Sequence, residues 1–450
     1  MSSSTVKESS AVLDGQPIVE QSIQGAGANK LKSSDRRFHD WYRFVLSFPP
    51  HLVRKYLNEF CGTDSTMSVL DPFCGTGTTL LESKLSGFSA FGIEANPFPQ
   101  FASATKLNWE ISVDGLLECA DKVANSALQQ LERQGISDEA VGGIGGFAGN
   151  LMSLPSEQEE LLLTDSISPL PLHKILTLLH EVENYQSKSF HSHLLIALGK
   201  VLVFRASNLK FGPEVGLGIK KVDASVVTPW REEVARIADD IGSVQKTSDN
   251  TSVAYLGDAR EINRFMPARS IDVVITSPPY PNEKDYTRTT RLESVILGFI
   301  KSKQELRQFK KSLVRSNTRG VYKEDDDHLW IAGHPTITEV AERIERRRLE
   351  LKKTSGFERL YARVTQLYFG GMARHLQELQ PVLKPGARLA YVVGDQASYL
   401  RVMIRTGQIL AEVATKLGYH VDRIDLFRTR FATATGEQLR EEVVVLTWPG

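Results

Sequence analysis

The chain has 450 residues, 41% of them hydrophobic, enough for one large elaborated domain or two to three smaller ones. Lysine plus arginine balances aspartate plus glutamate at 54 each, so net charge selects no nucleic-acid or membrane partner, and any basic surface must come from local clustering. No run of about 18 apolar residues occurs, which excludes a membrane-spanning helix. Three cysteines, Cys61, Cys74 and Cys119, have no framework spacing and fit a reducing cytoplasm.

The opening MSSSTVKESS is polar and lacks the apolar core of a signal peptide. Residues 1–30, rich in Ser, Gly and Gln, read as a disordered arm. In HDWYRFVLSFPPHLVRKYL, Trp41, Phe44, Val45 and Phe48 have mostly helical spacing, Pro49-Pro50 interrupts it, and a helix resumes over 52–57. This segment is expected to dock over an apolar surface. Residues 68–73 read as a strand that turns through DPFCGTGTT (71–79) into a helix carrying Leu80, Leu81 and Leu85. Residues 88–94, FSAFGIE, form a second strand ended by Ala95-Asn96-Pro97. The alternation then stops: residues 101–250 are mainly helical, acidic first and basic later around KFGPEVGLGIKK, and read as an insertion.

Strand character returns at 252–256, before Gly257-Asp258-Ala259-Arg260, and again at 271. A second excursion, 281–370, carries two basic stretches. Lys301, Lys303, Arg307, Lys310, Lys311, Arg315 and Arg319 have few compensating acids; the run from Arg343 to Lys353 alternates with glutamates and suits a solvated helix with i,i+4 pairs. Strands at 387–393, 421–427 and 442–447 complete the pattern, the first following a helix end stopped by Lys384-Pro385-Gly386. Seven strands, helices between the early ones and two consecutive strands at the end predict an α/β doubly wound, Rossmann-like sheet with a terminal antiparallel hairpin and mainly helical insertions. The core is assigned to 31–100 and 251–450.

Two strand ends carry chemistry. Ile271, Val273, Val274 and Ile275 form a β-branched run typical of a buried parallel strand, and Ser277-Pro278-Pro279 ends it in a stiff turn. Ser277 and Tyr280 are thereby held at the carboxyl edge, where open α/β sheets bind ligands. The other stretch, 71–79, places two glycines between strand and helix. It lacks the lysine of a P-loop and, with Leu80 in place, the third glycine of a dinucleotide fingerprint. A nucleoside cofactor without a pyrophosphate fits better. Asp71 suits an ammonium group, the helix N-terminus a carboxylate, Glu94 a pair of ribose hydroxyls and Asp258 an adenine amine. No H-E-x-x-H pair or Cys/His cluster is present, and no metal site is expected.

DPFCGTGTT followed far downstream by TSPPY resembles the S-adenosylmethionine-dependent amino-methyltransferases of DNA, which methylate exocyclic base nitrogens. GIEANP, GDAR, LKPGARLAYVVGD and HDWYRFVLSFPP are similar to the family's secondary motifs, and the match covers the seven strands, about half the chain. The resemblance implies that Asp71, Phe73, Gly75, Gly77, Thr78, Glu94 and Asp258 hold the cofactor, and that Ser277, Pro278, Pro279 and Tyr280 hold a flipped base of duplex DNA. It also implies a cytoplasmic enzyme of the restriction-modification type, for which a cognate endonuclease acting on the same site is a possible partner. Serine at the head of S-P-P-Y is associated with cytosine-N4 and D-P-P-Y with adenine-N6. The first reading is therefore cytosine-N4 transfer; adenine-N6 transfer, RNA guanine-N2 transfer and a non-catalytic DNA-binding subunit stand as alternatives. Lys301, Lys303, Arg307, Lys310, Lys311, Arg315, Lys210, Lys220 and Lys221 are the expected DNA contacts, and either excursion could read the target sequence.

Overall fold

The β-branched run at 271–276 lies near the middle of the main sheet, where Ile271, Val273, Val274 and Ile275 are at most 1% exposed. The structure, a computed structural model, describes residues 12–13, 16–17, 20–22, 31–43, 47–140, 150–212, 214–244, 250–282, 284–432 and 436–450. All seven expected strands are present: β1 Ser68–Asp71, β2 Ser89–Glu94, β3 Ser252–Leu256, β4 Ile271–Thr276, β5 Leu383–Gly394, β6 His420–Ala432 and β7 Glu437–Thr447. Across the sheet they run β6-β7-β5-β4-β1-β2-β3. β7 is antiparallel to both its neighbours and closes the terminal hairpin, while the other pairings are parallel. An eighth strand, Glu20–Ser22, was not expected. It comes from the segment read as a disordered arm and pairs in parallel with β6.

Both faces of the sheet are covered, which is why its strands read as continuous apolar runs rather than alternating ones. Val273 and Ile275 face α1 (Pro50–Phe60) through Leu52, Val53, Tyr56 and Leu57. Val274 lies in the opposite layer with residues of the helices Pro335–Glu350, Tyr361–Leu379 and Thr406–Lys416. The chain grows outward from β1 through β2 to β3, then crosses back to β4 and β5. The order therefore reverses between β1 and β4, and such a switch point opens a crevice at the carboxyl ends of the two strands.

Two local expectations are corrected. The segment around Trp41 forms a short 3₁₀ turn, His39–Trp41, because the Phe38 N–H and Trp41 Nε1 both donate to Asp240 Oδ2, at 3.0 and 2.8 Å. Those two bonds pin the rings into the helical layer; Phe44 and Val45 lie outside the described residues. Lys384-Pro385-Gly386 does not precede β5. It forms a bulge inside it, between Leu383 and Arg388, with Gly386 at φ 84°.

Between β2 and β3 the longer helices are Pro97–Leu107, Val113–Arg133, Pro169–Glu183, His191–Val201 and Val227–Gly242. They share a core with Phe38, Trp41 and Tyr42. Asp138 fixes the start of Val227–Gly242: its carboxylate accepts from the N–H groups of Val226, Val227 and Thr228 at 2.9–3.0 Å and from the Ser225 hydroxyl. Burial pushes its pKa up, but these four donors outweigh burial and hold it below the ordinary value. A depressed folded-state pKa means stability that is present above the unfolded value and lost as pH falls through the folded one. Asp138→Asn is expected to speed amide exchange at Val226–Thr228 by roughly 5- to 30-fold near neutral pH, the equivalent of a lost cap. The difference from wild type should shrink on acidification.

Candidate active site

At the end of β1 the Asp71 carboxylate is fully buried. Its Oδ1 accepts from Thr276 Oγ1 at 2.6 Å and from the Phe73 N–H at 3.1 Å. Burial raises its pKa to about 6, against the pull of the Thr276 and Thr79 hydroxyls and that N–H. Thr79 Oγ1, on α2 (Thr78–Leu85), donates to the carbonyl of Ile275 at 3.1 Å. The ends of β1 and β4 are thus tied together twice.

The loop between β1 and α2 needs both its glycines. Gly75 has φ 51° and Gly77 φ 83°, conformations that side chains resist. A Cβ on Gly77 would stand 2.4 Å from Ser103 Oγ. At Gly75 nothing lies within 4 Å of that position, so the missing side chain leaves free volume there. Glu94 braces the loop: its Oε2 accepts from the Gly75 N–H at 2.9 Å and its Oε1 from the Asn96 N–H at 2.7 Å. Burial lifts its pKa to about 7 despite those bonds. Beneath the loop, Lys106 is 2% exposed and donates to the Thr76 carbonyl at 3.0 Å, with burial lowering its pKa to about 7.

At the end of β4, Ser277 Oγ donates to the Val392 carbonyl of β5 at 3.2 Å. That bond commits the hydroxyl proton and leaves the oxygen's lone pairs to accept. The turn is held by the Tyr280 N–H, which donates to Tyr286 Oη at 3.1 Å, and by the Asn282 N–H, which donates to the Tyr280 carbonyl at 2.8 Å. The Tyr280 ring lies against Gly394, where a Cβ would come within 3.0 Å of it.

Both strand ends open into a cavity of about 650 Å³. Of the residues expected at the site, Phe73, Gly75, Thr78, Glu94, Asp258, Ser277, Pro278, Pro279 and Tyr280 line it. Asp71 and Gly77 do not: the first latches β1 to β4, and the second packs against Ser103. Asp258 reaches the wall already engaged, because Arg260 holds its two oxygens through Nε and Nη2 at 2.7–3.2 Å. Arg260 is itself buried and bridges onward to Asp327 Oδ2 at 2.5 Å and to the Lys311 carbonyl at 3.1 Å. Burial works against its charge, and the two carboxylates more than restore it, so its pKa stays above the ordinary value.

His375 was not anticipated. Its Nδ1 lies 2.8 Å from the Ala259 carbonyl, which can only accept, so Nδ1 carries the proton and Nε2 accepts from Tyr391 Oη at 2.7 Å. Burial lowers its pKa to about 4, so it is neutral at physiological pH. Its ring meets Phe73 edge-on at 4.9 Å. The histidine thus ties the β1 loop, the β3 loop and β5 into one wall.

Across the cavity stand residues of the second excursion, including Lys310, Asn317 and the buried Arg315. Arg315 is not the surface cation expected: it is 4% exposed and binds both oxygens of Asp325 at 2.8 Å. Lys310 pairs with Asp285 at 3.3 Å. Lys303 and Lys220 make exposed pairs with Glu160 and Asp165, of the kind that contributes little to stability and leaves the cations accessible. Lys221 Nζ donates to the Arg205 carbonyl. Arg307 and Lys311 stand over the Tyr322 ring at 5.5 and 5.7 Å, while Lys301 and Lys210 are exposed.

This geometry can be set beside known proteins. The type II methyltransferase M.BsoBI of Geobacillus stearothermophilus is 23% identical over 451 residues, a match spanning 90% of this chain and 82% of the relative. The type II methyltransferase M.AvaI of a Nostoc species is 25% identical over 428 residues, spanning 88% and 81%. The chain is a homologue of type II methyltransferases. Both alignments are long enough to take in the two strand ends as well as much of the excursions. No family model matches the sequence. The solved structure of TrmN from Thermus thermophilus aligns with 92% of this chain and 52% of its own at 12% identity, with a TM-score of 0.28, too loose to bear on the fold.

Within this methyltransferase homologue, Arg260 is the element whose loss should be felt most widely. Arg260→Met would take the cation from the half-buried Asp258 and leave the buried Asp327 only Arg374, 3.6 Å away, and chemical denaturation is expected to show a loss of about 3 kcal/mol. Adding Asp258→Asn to that variant should return part of it.

Proposed function

We propose that the chain transfers a methyl group from S-adenosylmethionine to the exocyclic N4 amine of cytosine in duplex DNA, with the base swung out of the helix into the cavity. The observation that carries this reading is the orientation of Ser277. Its hydroxyl donates to the Val392 carbonyl, which leaves lone pairs on the oxygen to accept, and Ser277, Pro278 and Tyr280 all line the cavity. An exocyclic amine offers two N–H donors; the Ser277 oxygen and the Pro278 carbonyl are two acceptors on one rigid turn. Accepting a hydrogen bond from each N–H draws the nitrogen away from conjugation with its ring and frees its lone pair; as the new N–C bond forms and the methyl's bond to sulfur breaks, one N–H proton is released to water. Positioning then accounts for most of the acceleration, and no covalent bond to the protein is needed.

The cavity residues fit the donor. Glycine at 75 leaves open volume beside the loop, Glu94 and Asp258 line the same wall, and α2 presents its N-terminus there. S-adenosylmethionine supplies, when bound, a methyl group on a positively charged sulfur. Phe73, Gly75, Thr78 and Glu94 would hold it, with Asp71 acting from behind the loop. Asp258 would have to share its lone pairs with Arg260. Methylation at a ring carbon, which requires a thiolate nucleophile, is disfavoured. Burial beside Asp71 and Glu94 pushes the Cys74 thiol well above its ordinary pKa. Cytosine is preferred to adenine on the serine that heads S-P-P-Y.

The decisive assay gives the purified protein duplex DNA and a labelled methyl donor, then separates the nucleosides. N4-methylcytosine is expected; N6-methyladenine would overturn the base assignment, and methylation of transfer RNA alone would overturn the substrate. Ser277→Ala should lower kcat roughly a hundredfold while donor binding stays within about twofold, and Tyr280→Ala should weaken retention of the flipped base. DNA affinity should fall steeply with salt, by a log–log slope of about 0.9 per phosphate contacted. Lys301→Ala and Arg307→Ala are each expected to reduce that slope by about one, alike for all sequences.

A further inference from the structure

The helical insertion carries a feature that the chemistry does not use. Leu209–Phe211 and Val215–Leu217 form a two-stranded antiparallel ribbon separate from the main sheet, with Leu209 opposite Leu217 and Phe211 opposite Val215. Its base is firmly anchored. Asn208, 3% exposed, donates through Nδ2 to the Asp165 carbonyl at 2.9 Å and to Ser168 Oγ at 3.1 Å, and its Oδ1 accepts from the Lys221 N–H at 2.8 Å. Leu209 and Phe211 lean on the helical core. The edge leading back from the second strand to that base is bare: Leu217 is 46% exposed, Ile219 90% and Val222 67%. One exposed aliphatic is ordinary surface; three within six residues, interleaved with Lys210, Lys220 and Lys221, form a mixed apolar and cationic edge. At the far end, Glu214 lines the same cavity as Ser277 and Tyr280, within electrostatic reach of Lys284 on the catalytic turn.

We infer that this ribbon, with the segment 218–222 that returns to its base, is the element that reads the target sequence, lying in the major groove of the duplex beside the extruded base. The inference rests on the DNA-methylation reading above and names the part of the chain that selects the site. Three features support it. A two-stranded ribbon, its strands about 4.8 Å apart, enters a major groove about 12 Å wide, where every base pair is distinguishable. The anchored stem gives the fixed register that base readout requires, in contrast to a lysine that meets phosphates from a flexible stem. Glu214, at the turn of the ribbon, lines the cavity, so the ribbon adjoins the place to which a duplex would deliver a base. The chemistry offered suits base edges: a carboxylate accepts from a cytosine amine, and an aliphatic side chain such as Ile219 meets a thymine methyl.

The test expresses the full chain in cells that lack other base methylation and sequences the modified bases genome-wide for wild type, Ile219→Ser and Glu214→Ala. The expected result is an unchanged methylated base within a site whose preference is relaxed at least about tenfold at one or two flanking positions. Wild-type methylation with an unchanged site in both variants would remove the ribbon as the reader and leave the DNA-methylation reading standing. A fall shared equally by all sites would also overturn it, since that is the signature of phosphate contact. Absence of methylation by the wild-type chain would overturn both readings. Ile219 is exposed, so its substitution should preserve folding, and matched melting curves check this for both variants.

Discussion

The hydrogen bond from Thr276 Oγ1 to the buried carboxylate of Asp71 is the contact on which the site depends. It joins the last residues of two neighbouring parallel strands at the point where the strand order reverses. With the second tie, Thr79 to the Ile275 carbonyl, it fixes the spacing between the glycine loop and the proline turn. Neither loop could set that distance alone. The glycines keep the loop open, the prolines keep the turn stiff, and the latch brings both to one cavity.

Around the latch the wall is built in layers that work through one another. Glu94 and Lys106 brace the loop from opposite sides, one accepting from its N–H and the other donating to its carbonyl. His375 reaches from the long helix Tyr361–Leu379 to hold the Ala259 carbonyl and the Phe73 ring. Arg260 then couples Asp258 to Asp327 and to the wall carrying Lys310 and Asn317. The second excursion is therefore bonded directly to the loop after β3.

The sheet was legible because its evidence is local. Short apolar stretches bounded by turn residues mark the seven strands, and the Gly75-Thr76-Gly77 and Pro278-Pro279 punctuation marks the two strand ends that open into the cavity. What was not legible depends on partners far away in sequence. A row of cations reads the same whether it faces water or, like Arg315 in the loop after the helix Lys303–Lys311, a half-buried aspartate ten residues on. Asp258 and Arg260 stood together in GDAR, yet nothing local showed that the arginine would take up the carboxylate. His375 carries no motif at all, and its role follows only from meeting Ala259, 116 positions earlier. Polar composition likewise concealed Glu20–Ser22, which is a strand through its pairing along β6, about 400 positions on.

Both long excursions leave the sheet from the same rim, one after β2 and the other after β4, and each returns to a core strand. The sheet's hydrogen-bond ladder is complete without either of them. Such an arrangement separates two kinds of evolutionary change: material can be lengthened, exchanged or rewritten above the rim while the latched strand ends below keep their spacing. A lineage built this way can acquire new specificities without having to reinvent its chemistry.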